Sequence, residues 1–271
     1  MFGFGLTKTK GKTMKKIALT SLLAVMAAGS AHAANIIDGN PLYRPGEGHF
    51  YSVTSVGSHT KAVDEVGISE EFGYGITDRL AVVMETSAGQ ADWFDTMSWN
   101  TLGIGLNYRM VDQGAWKADL MASYSMAPVW GDHKSFMDKD ETLYDWTVGV
   151  RGGYVGEGFT IAGHVMFDYV NSESFNWNDE GIHTMRFGVD GQLLLSDMWN
   201  LVAGAEYTAW IDEDMWEMDL GTWDFMFGAN YNIDETKFIG AYISKEMVHA
   251  AEGEWDMLDG FGFGVKFGID F

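Results

Sequence analysis

Trp223, Phe225, Phe227, Ala229 and Tyr231 alternate along the chain with Asp224, Met226, Gly228, Asn230 and Asn232. A period of two puts the first set on one face of an extended strand and the second on the other. Leu102, Ile104, Leu106 and Tyr108 alternate in the same way with Gly103, Gly105, Asn107 and Arg109, and Trp146, Val148, Val150 and Tyr154 with Thr147, Gly149, Arg151 and Gly153. The pattern predicts twelve strands, at 49–57, 66–76, 79–87, 99–110, 115–126, 143–155, 159–170, 182–195, 200–210, 220–232, 237–248 and 258–271. The connections between them alternate in length. Those at 77–78, 111–114, 156–158, 196–199 and 233–236 are tight, and those at 58–65, 88–98, 127–142, 171–181, 211–219 and 249–257 are long. In the first strand two faces compete for the apolar side: Phe50, Ser52, Thr54 and Val56, or Tyr51, Val53 and Ser55.

The charges sort by face. On the side opposite the apolar residues lie Glu85, Arg109, Lys117, Asp119, Arg151, His164, Asp168, Arg186, Asp190, Glu206, Asp224, Tyr242, Glu246 and Lys266. A strand of about 10 residues is what a tilted membrane crossing needs, and a charge on its lipid face would be costly. The prediction is an all-β fold, a transmembrane antiparallel up-and-down barrel of about 12 strands whose lumen is lined by these residues. A soluble antiparallel sandwich also alternates, but its loops would be of similar length at both ends. Nor would its aromatics gather at strand ends. Here Tyr74, Tyr108, Trp116, Tyr154, Trp199 and Tyr231 lie near the tight turns, and Trp146, Tyr169, Tyr207 and Trp223 near the long loops. Two such groups are the interfacial girdles of a membrane barrel.

The last stretch, Gly260 to Phe271, alternates Phe261, Phe263, Val265, Phe267, Ile269 and Phe271 with Gly262, Gly264, Lys266, Gly268 and Asp270. It resembles the C-terminal β-signal of bacterial, porin-like outer-membrane β-barrels. The resemblance implies that Phe267, Ile269 and Phe271 are read by the barrel-assembly machinery. The start of the chain agrees with it. Lys15 and Lys16, the apolar run Ile17 to Ala28 and the small-x-small site Ala31-His32-Ala33 read as a signal peptide, too short in its apolar part to span a membrane. Residues 1–13 read as a long n-region or a misassigned start ahead of Met14. Three parts are expected: 1–33 cleaved, 34–48 a periplasmic lead with two of the three prolines, and 49–271 the barrel.

Five of the 17 basic residues and none of the 39 acidic ones precede Ala34, so the exported part carries 12 against 39, a net charge of −27. That excludes nucleic acid as a partner, which needs a basic face. Zero cysteines exclude disulfides and thiolate metal sites. Carboxylates crowd three loops, at Asp212, Glu213, Asp214, Glu217 and Asp219, at Asp138, Asp140 and Glu141, and at Glu252, Glu254 and Asp256. They form a solvated acidic surface or, less directly, hold Ca²⁺; none has the spacing of an EF-hand. No cofactor and no metal site is expected. His133-Lys134-Ser135 resembles in spacing the His-x-Ser pair of outer-membrane phospholipases and lipid A deacylases. It sits in a loop rather than on a strand, and Phe136 follows the serine where the phospholipases have Asn.

The inward residues either form a salt-bridged plug or line a polar channel. The inward glycines (Gly103, Gly105, Gly149, Gly188, Gly204, Gly228, Gly262 and Gly264) either leave space or let neighbouring rings lie against the wall. The space favours a narrow passive channel, not an enzyme, in the outer membrane of a Gram-negative bacterium. It would pass small hydrophilic solutes, cationic or neutral, because the mouth and much of the lumen are acidic. The alternatives are a sealed structural or adhesive barrel acting through its acidic, aromatic loops, and a lipid hydrolase. The expected partners are the outer-membrane bilayer, the assembly machinery and the small solutes.

Overall fold

The alternating segments are strands, and each pairs with its neighbour in sequence. A computed structural model describes residues 40–91, 96–129, 141–172, 181–211, 221–249, 255–257 and 260–271. Among them the strands are β1 (Phe50–His59), β2 (Ala62–Gly75), β3 (Leu80–Ala91), β4 (Thr96–Gln113), β5 (Trp116–Val129), β6 (Glu141–Val155), β7 (Phe159–Ser172), β8 (Ile182–Leu194), β9 (Trp199–Trp210), β10 (Gly221–Asn232), β11 (Lys237–His249), β12 (Trp255–Met257) and β13 (Gly262–Asp270). All pairings between these strands are antiparallel; the isolated bridge of Glu47 with Gly75 is parallel. β1 closes the ring by pairing with β13, from Tyr51↔Asp270 to His59↔Gly262. Twelve strands make the barrel, and β12 is a short addition beside β11. Closure leaves no strand edge in the wall, as a sheet in lipid requires.

The tight turns are built by their side chains. Thr77 Oγ1 accepts from the amides of Arg79 (3.1 Å) and Leu80 (3.0 Å). Ser196 Oγ does the same for Met198 (3.3 Å) and Trp199 (3.1 Å). Asp234 accepts from the Thr236 amide at 2.8 Å and from Lys237 at 3.0 Å. Lys237 and Thr236 together hold its carboxyl down to about 2. Short polar side chains satisfy turn amides in this way, which fixes strand register. The turn after β4 uses Gly114 at φ +58°, a conformation side chains other than glycine rarely adopt.

Several strand boundaries differ from the sequence expectation, most of all at three places. The connection at 58–65 is a turn at Thr60–Lys61, and β3 and β4 run on to Ala91 and back from Thr96. The last strand begins at Gly262 rather than 258, behind Gly260 at φ +93°. The apolar alternation marks only the lipid-facing band. The hydrogen-bonded ladder continues beyond it, where both faces meet water and no alternation is needed.

The wall is apolar outside and polar inside. Ile104, Leu106, Val148, Val150, Ile161, Val189, Phe227, Ile243 and Val265 are exposed, whereas Arg109, Asp119, Arg151, His164, Asp168, Asp190 and Lys266 are buried. Rings meet at both ends of the band. Trp116 and Tyr154 (5.3 Å between centroids), Trp199 and Tyr231 (5.1 Å), and Phe50 and Phe271 (5.3 Å) mark the turn end. Tyr124 and Trp146 (4.5 Å) and Tyr207 and Trp223 (5.1 Å) mark the loop end. On β1 the face is settled in favour of Phe50, Ser52, Thr54 and Val56 outside. Tyr51 is buried in the lumen, where its hydroxyl donates to Glu71 at 2.7 Å.

Candidate functional site in the barrel lumen

The inward charges form two kinds of arrangement. The first is an ion-paired girder across β6 to β9. Asp168 on β7 accepts two hydrogen bonds from Arg186 on β8, from Nε and Nη2, both 2.8 Å. It also accepts from Thr147 (2.7 Å) and Thr184 (3.2 Å). Arg186 lies 3.7 Å from Glu206, and His164 Nε2 lies 2.7 Å from the other oxygen of that carboxylate. His164 Nδ1 is 3.3 Å from Asp190, within ion-pair range but without hydrogen-bond geometry. Arg151 is 3.9 Å from the same Asp190. Parallel bonds between a guanidinium and a carboxylate are geometrically demanding and among the stronger charged contacts.

The second arrangement is unbalanced. Glu71 on β2 sits directly opposite Glu85 on β3. On the far wall Glu206, Asp224 and Glu246 follow one another across β9, β10 and β11 in the same register. Like charges directly opposite each other across a ladder destabilise it. Here they are concentrated on the lumen face. A lumen cavity of about 180 Å³ is bordered by Glu71, Glu85, Asp145, Asp168 and Glu206 against Arg151, Arg186 and His164; Asp224 and Glu246 are not on its border. Oδ1 of Asp145 has no hydrogen-bond donor among the described residues. Gly103 and Gly105 form part of the cavity's border on β4.

The lead occupies the turn end of the lumen. Pro41, Leu42 and Pro45 are fully buried. Arg109 donates from Nη2 to the Leu42 carbonyl at 2.6 Å, and Arg151 from Nη1 to that of Pro41 at 3.3 Å. A buried proline brings no amide hydrogen to satisfy, so its carbonyl is the one backbone group needing a partner. Tyr43 donates to Asp270 at 2.8 Å and meets Tyr51 edge-on at 5.8 Å, beside the inward cluster of Tyr51, Val53 and Phe238.

Of the inward residues expected from the sequence, Arg109, Asp119, Arg151, His164, Asp168, Asp190, Glu206 and Lys266 are buried, and Glu85 and Arg186 border the cavity. Arg109 pairs with Asp119, as parity on adjacent strands allows. Lys117 reaches the rim instead, 2.5 Å from Asp112. Asp270 is held by Tyr43 rather than by a basic partner. The Lys266 ammonium lies 4.8 Å from the centre of the Tyr242 ring. Most inward glycines do not widen the lumen: the His164 ring occupies the space a Cβ at Gly188 would take, and Tyr242 that at Gly264. Glu71 and Asp145 were missed, although each shares the inward parity of its strand. Phe267 and Phe271 face outward at the end of β13. The acidic clusters at 138–141, 212–219 and 252–256 and the pair His133 and Ser135 lie outside the described side chains.

No family model matches the sequence, and no curated protein matches it. Solved structures do match. The chain superposes on the NanC porin with a TM-score of 0.58 at 9% identity, over 80% of this chain and 98% of that one. An outer membrane channel from Pseudomonas putida F1 gives 0.51 at 13% identity, over 84% and 97%. The KdgM porin gives 0.51 at 8%, over 82% and 99%. The chain has the fold of an outer-membrane β-barrel. The likeness to each barrel covers nearly all of the solved chain, so the whole ring is shared and not a single hairpin. At such identities it establishes fold and leaves the chemistry to this barrel's own lumen.

Proposed function

We propose that this barrel is a narrow passive channel of the bacterial outer membrane for small hydrophilic solutes, cationic or neutral. The observation carrying the reading is the lumen cavity of about 180 Å³ whose border brings together Glu71, Glu85, Asp145, Asp168 and Glu206. A sealed structural barrel has no use for like carboxylates placed in register, since each pair weakens the ladder. A cation path does, because rings of one sign set selectivity. The girder of Arg186, Asp168 and His164 narrows the lumen, and the lead restricts it at the end that faces the periplasm in such barrels. The protein reaches the membrane by export, with cleavage after Ala33, and is inserted by the assembly machinery.

A second reading rests on the same lead. With Pro41 and Leu42 bound by Arg109 and Arg151, the barrel is closed at one end and serves as a scaffold for its outer loops. Single-channel recording of the full mature chain in planar bilayers separates the two. Discrete conductance steps are expected; a barrel that inserts, as judged by protease protection, yet carries no current is the scaffold.

A further inference from the structure

Among the described side chains on the lipid-facing wall, Glu70 is the one carboxylate within the apolar band. It shares the face of Ile68, Phe72 and Tyr74, all exposed, while Glu71 and Gly73 turn inward. Its two oxygens accept from Ser52 Oγ and Thr54 Oγ1, each at 2.5 Å. Thr54, Glu70 and Thr86 stand side by side across β1, β2 and β3. The result is a contiguous polar patch bordered by Val56, Ile68, Phe72, Met84 and Phe267. It lies four residues along β2 from the girdle residue Tyr74, which is about 10 Å of height for a tilted strand and close to the middle of a band about 25 Å tall. Lys245, the lipid-facing cation of β11, donates to the Gly260 carbonyl instead.

Polar groups at that depth are costly when they face acyl chains, and they are usually covered by protein. The membrane restricts what can cover this one. Every copy of the barrel is inserted with the same orientation and at the same depth, so a second copy turned about an axis along the membrane normal brings the same patch to the same height. The patch can exchange hydrogen bonds with its own copy: within each barrel both hydroxyls donate to Glu70, and one of the two bonds can pass to the other copy's carboxylate. The hydroxyl of Thr54 can serve the carboxylate of the other copy while Ser52 keeps its own. Such a self-complementary surface is what a two-fold interface requires, and interchain hydrogen bonds hold membrane segments together where apolar contact gives no preference over lipid. We propose that the wall formed by β1, β2 and β3 is a homodimer interface centred on Glu70, with Ser52, Thr54 and Thr86 as its polar core and Phe72, Ile68 and Val56 as its apolar rim.

The chain has no cysteine of its own, so single cysteines report on contact. In outer membranes or lipid vesicles treated with an oxidant, S52C is expected to form a covalent dimer. V148C, on the lipid-facing β6 wall, should remain monomeric. Subunit counting of the wild type in bilayers should give two copies per particle. E70L should weaken that association about tenfold or more while remaining a heat-modifiable barrel. If E70L does not assemble, E70Q keeps a hydrogen-bonding head, and the S52C result stands without either variant. Equal crosslinking of S52C and V148C, or one copy per particle at every protein-to-lipid ratio, would overturn the proposal. So would a Ser52 adduct formed only with a different protein.

Discussion

Asp168 and Arg186 are the residues whose partners are most fully determined. The carboxylate takes four hydrogen bonds, two from Arg186 and one each from Thr147 and Thr184. Removing its charge leaves the guanidinium with Glu206 at 3.7 Å as its remaining ion-pair partner among the described residues. Breaking one half of a buried pair is costly because the other half stays charged, so Asp168→Asn is expected to lower unfolding free energy by about 2–4 kcal/mol. Urea unfolding in lipid vesicles reads it. A double-mutant cycle with Arg186→Gln should show coupling of about 1 kcal/mol or more; additivity would mean that water in the lumen screens the pair. Gly188→Val tests the adjoining contact. Its side chain would displace the His164 ring from Glu206 and Asp190, and the expected result is a lower melting temperature.

At the scale of the element, the lead and the last strand make opposite demands. The lead is held by the bonds of Arg109 and Arg151 to its carbonyls, of Tyr43 to Asp270 and of its own Arg44 to the Thr77 carbonyl, none of which the wall needs for its own ladder. Deleting residues 40–46 should therefore leave a heat-modifiable barrel and raise single-channel conductance about twofold or more, since conductance follows the width of the constriction. An unchanged conductance would show that the constriction lies at the Arg186 girder instead. The last strand belongs to the ladder itself. Phe271 exchanges backbone bonds with Phe50 at 2.8 Å and 3.2 Å and stacks near its ring, at the seam where the barrel closes. Deleting it or replacing it with Asp is expected to abolish protease-resistant barrel in outer membranes. Normal levels of the mutant barrel would remove Phe271 from any role in assembly.

At the scale of the whole molecule, carboxyl groups outnumber basic groups around the lumen cavity, five against two arginines and a histidine. The expected consequence is cation preference, read as a reversal potential across a salt gradient at low ionic strength. Above about 1 M salt the screening length falls to about 3 Å and the preference should fade. Neutralising Glu85 and Asp145 together, by E85Q and D145N, should move the reversal potential toward zero. An anion preference in the wild type would mean that Arg109, Arg151 and Lys266 govern the pore from the turn end.

The alternation along the chain determined the number of strands, the face each residue takes and the division of charge between lumen and lipid, because a barrel in a bilayer obliges every strand to obey the same period of two. It put the expected lumen residues on one face of their strands, and the same parity adds Glu71 and Asp145. Parity could not decide β1, where both faces are mixed; the bond from Tyr51 to Glu71 and the contact of Phe50 with Phe271 did that. Nor could it say which inward charges meet. Register does: it sets Asp168 beside Arg186 but leaves Glu206, Asp224 and Glu246 in a row, and register depends on turns and closure that join residues far apart in sequence. The lead carries no period at all. Its place in the lumen follows from two carbonyls that only a closed barrel brings within reach of Arg109 and Arg151.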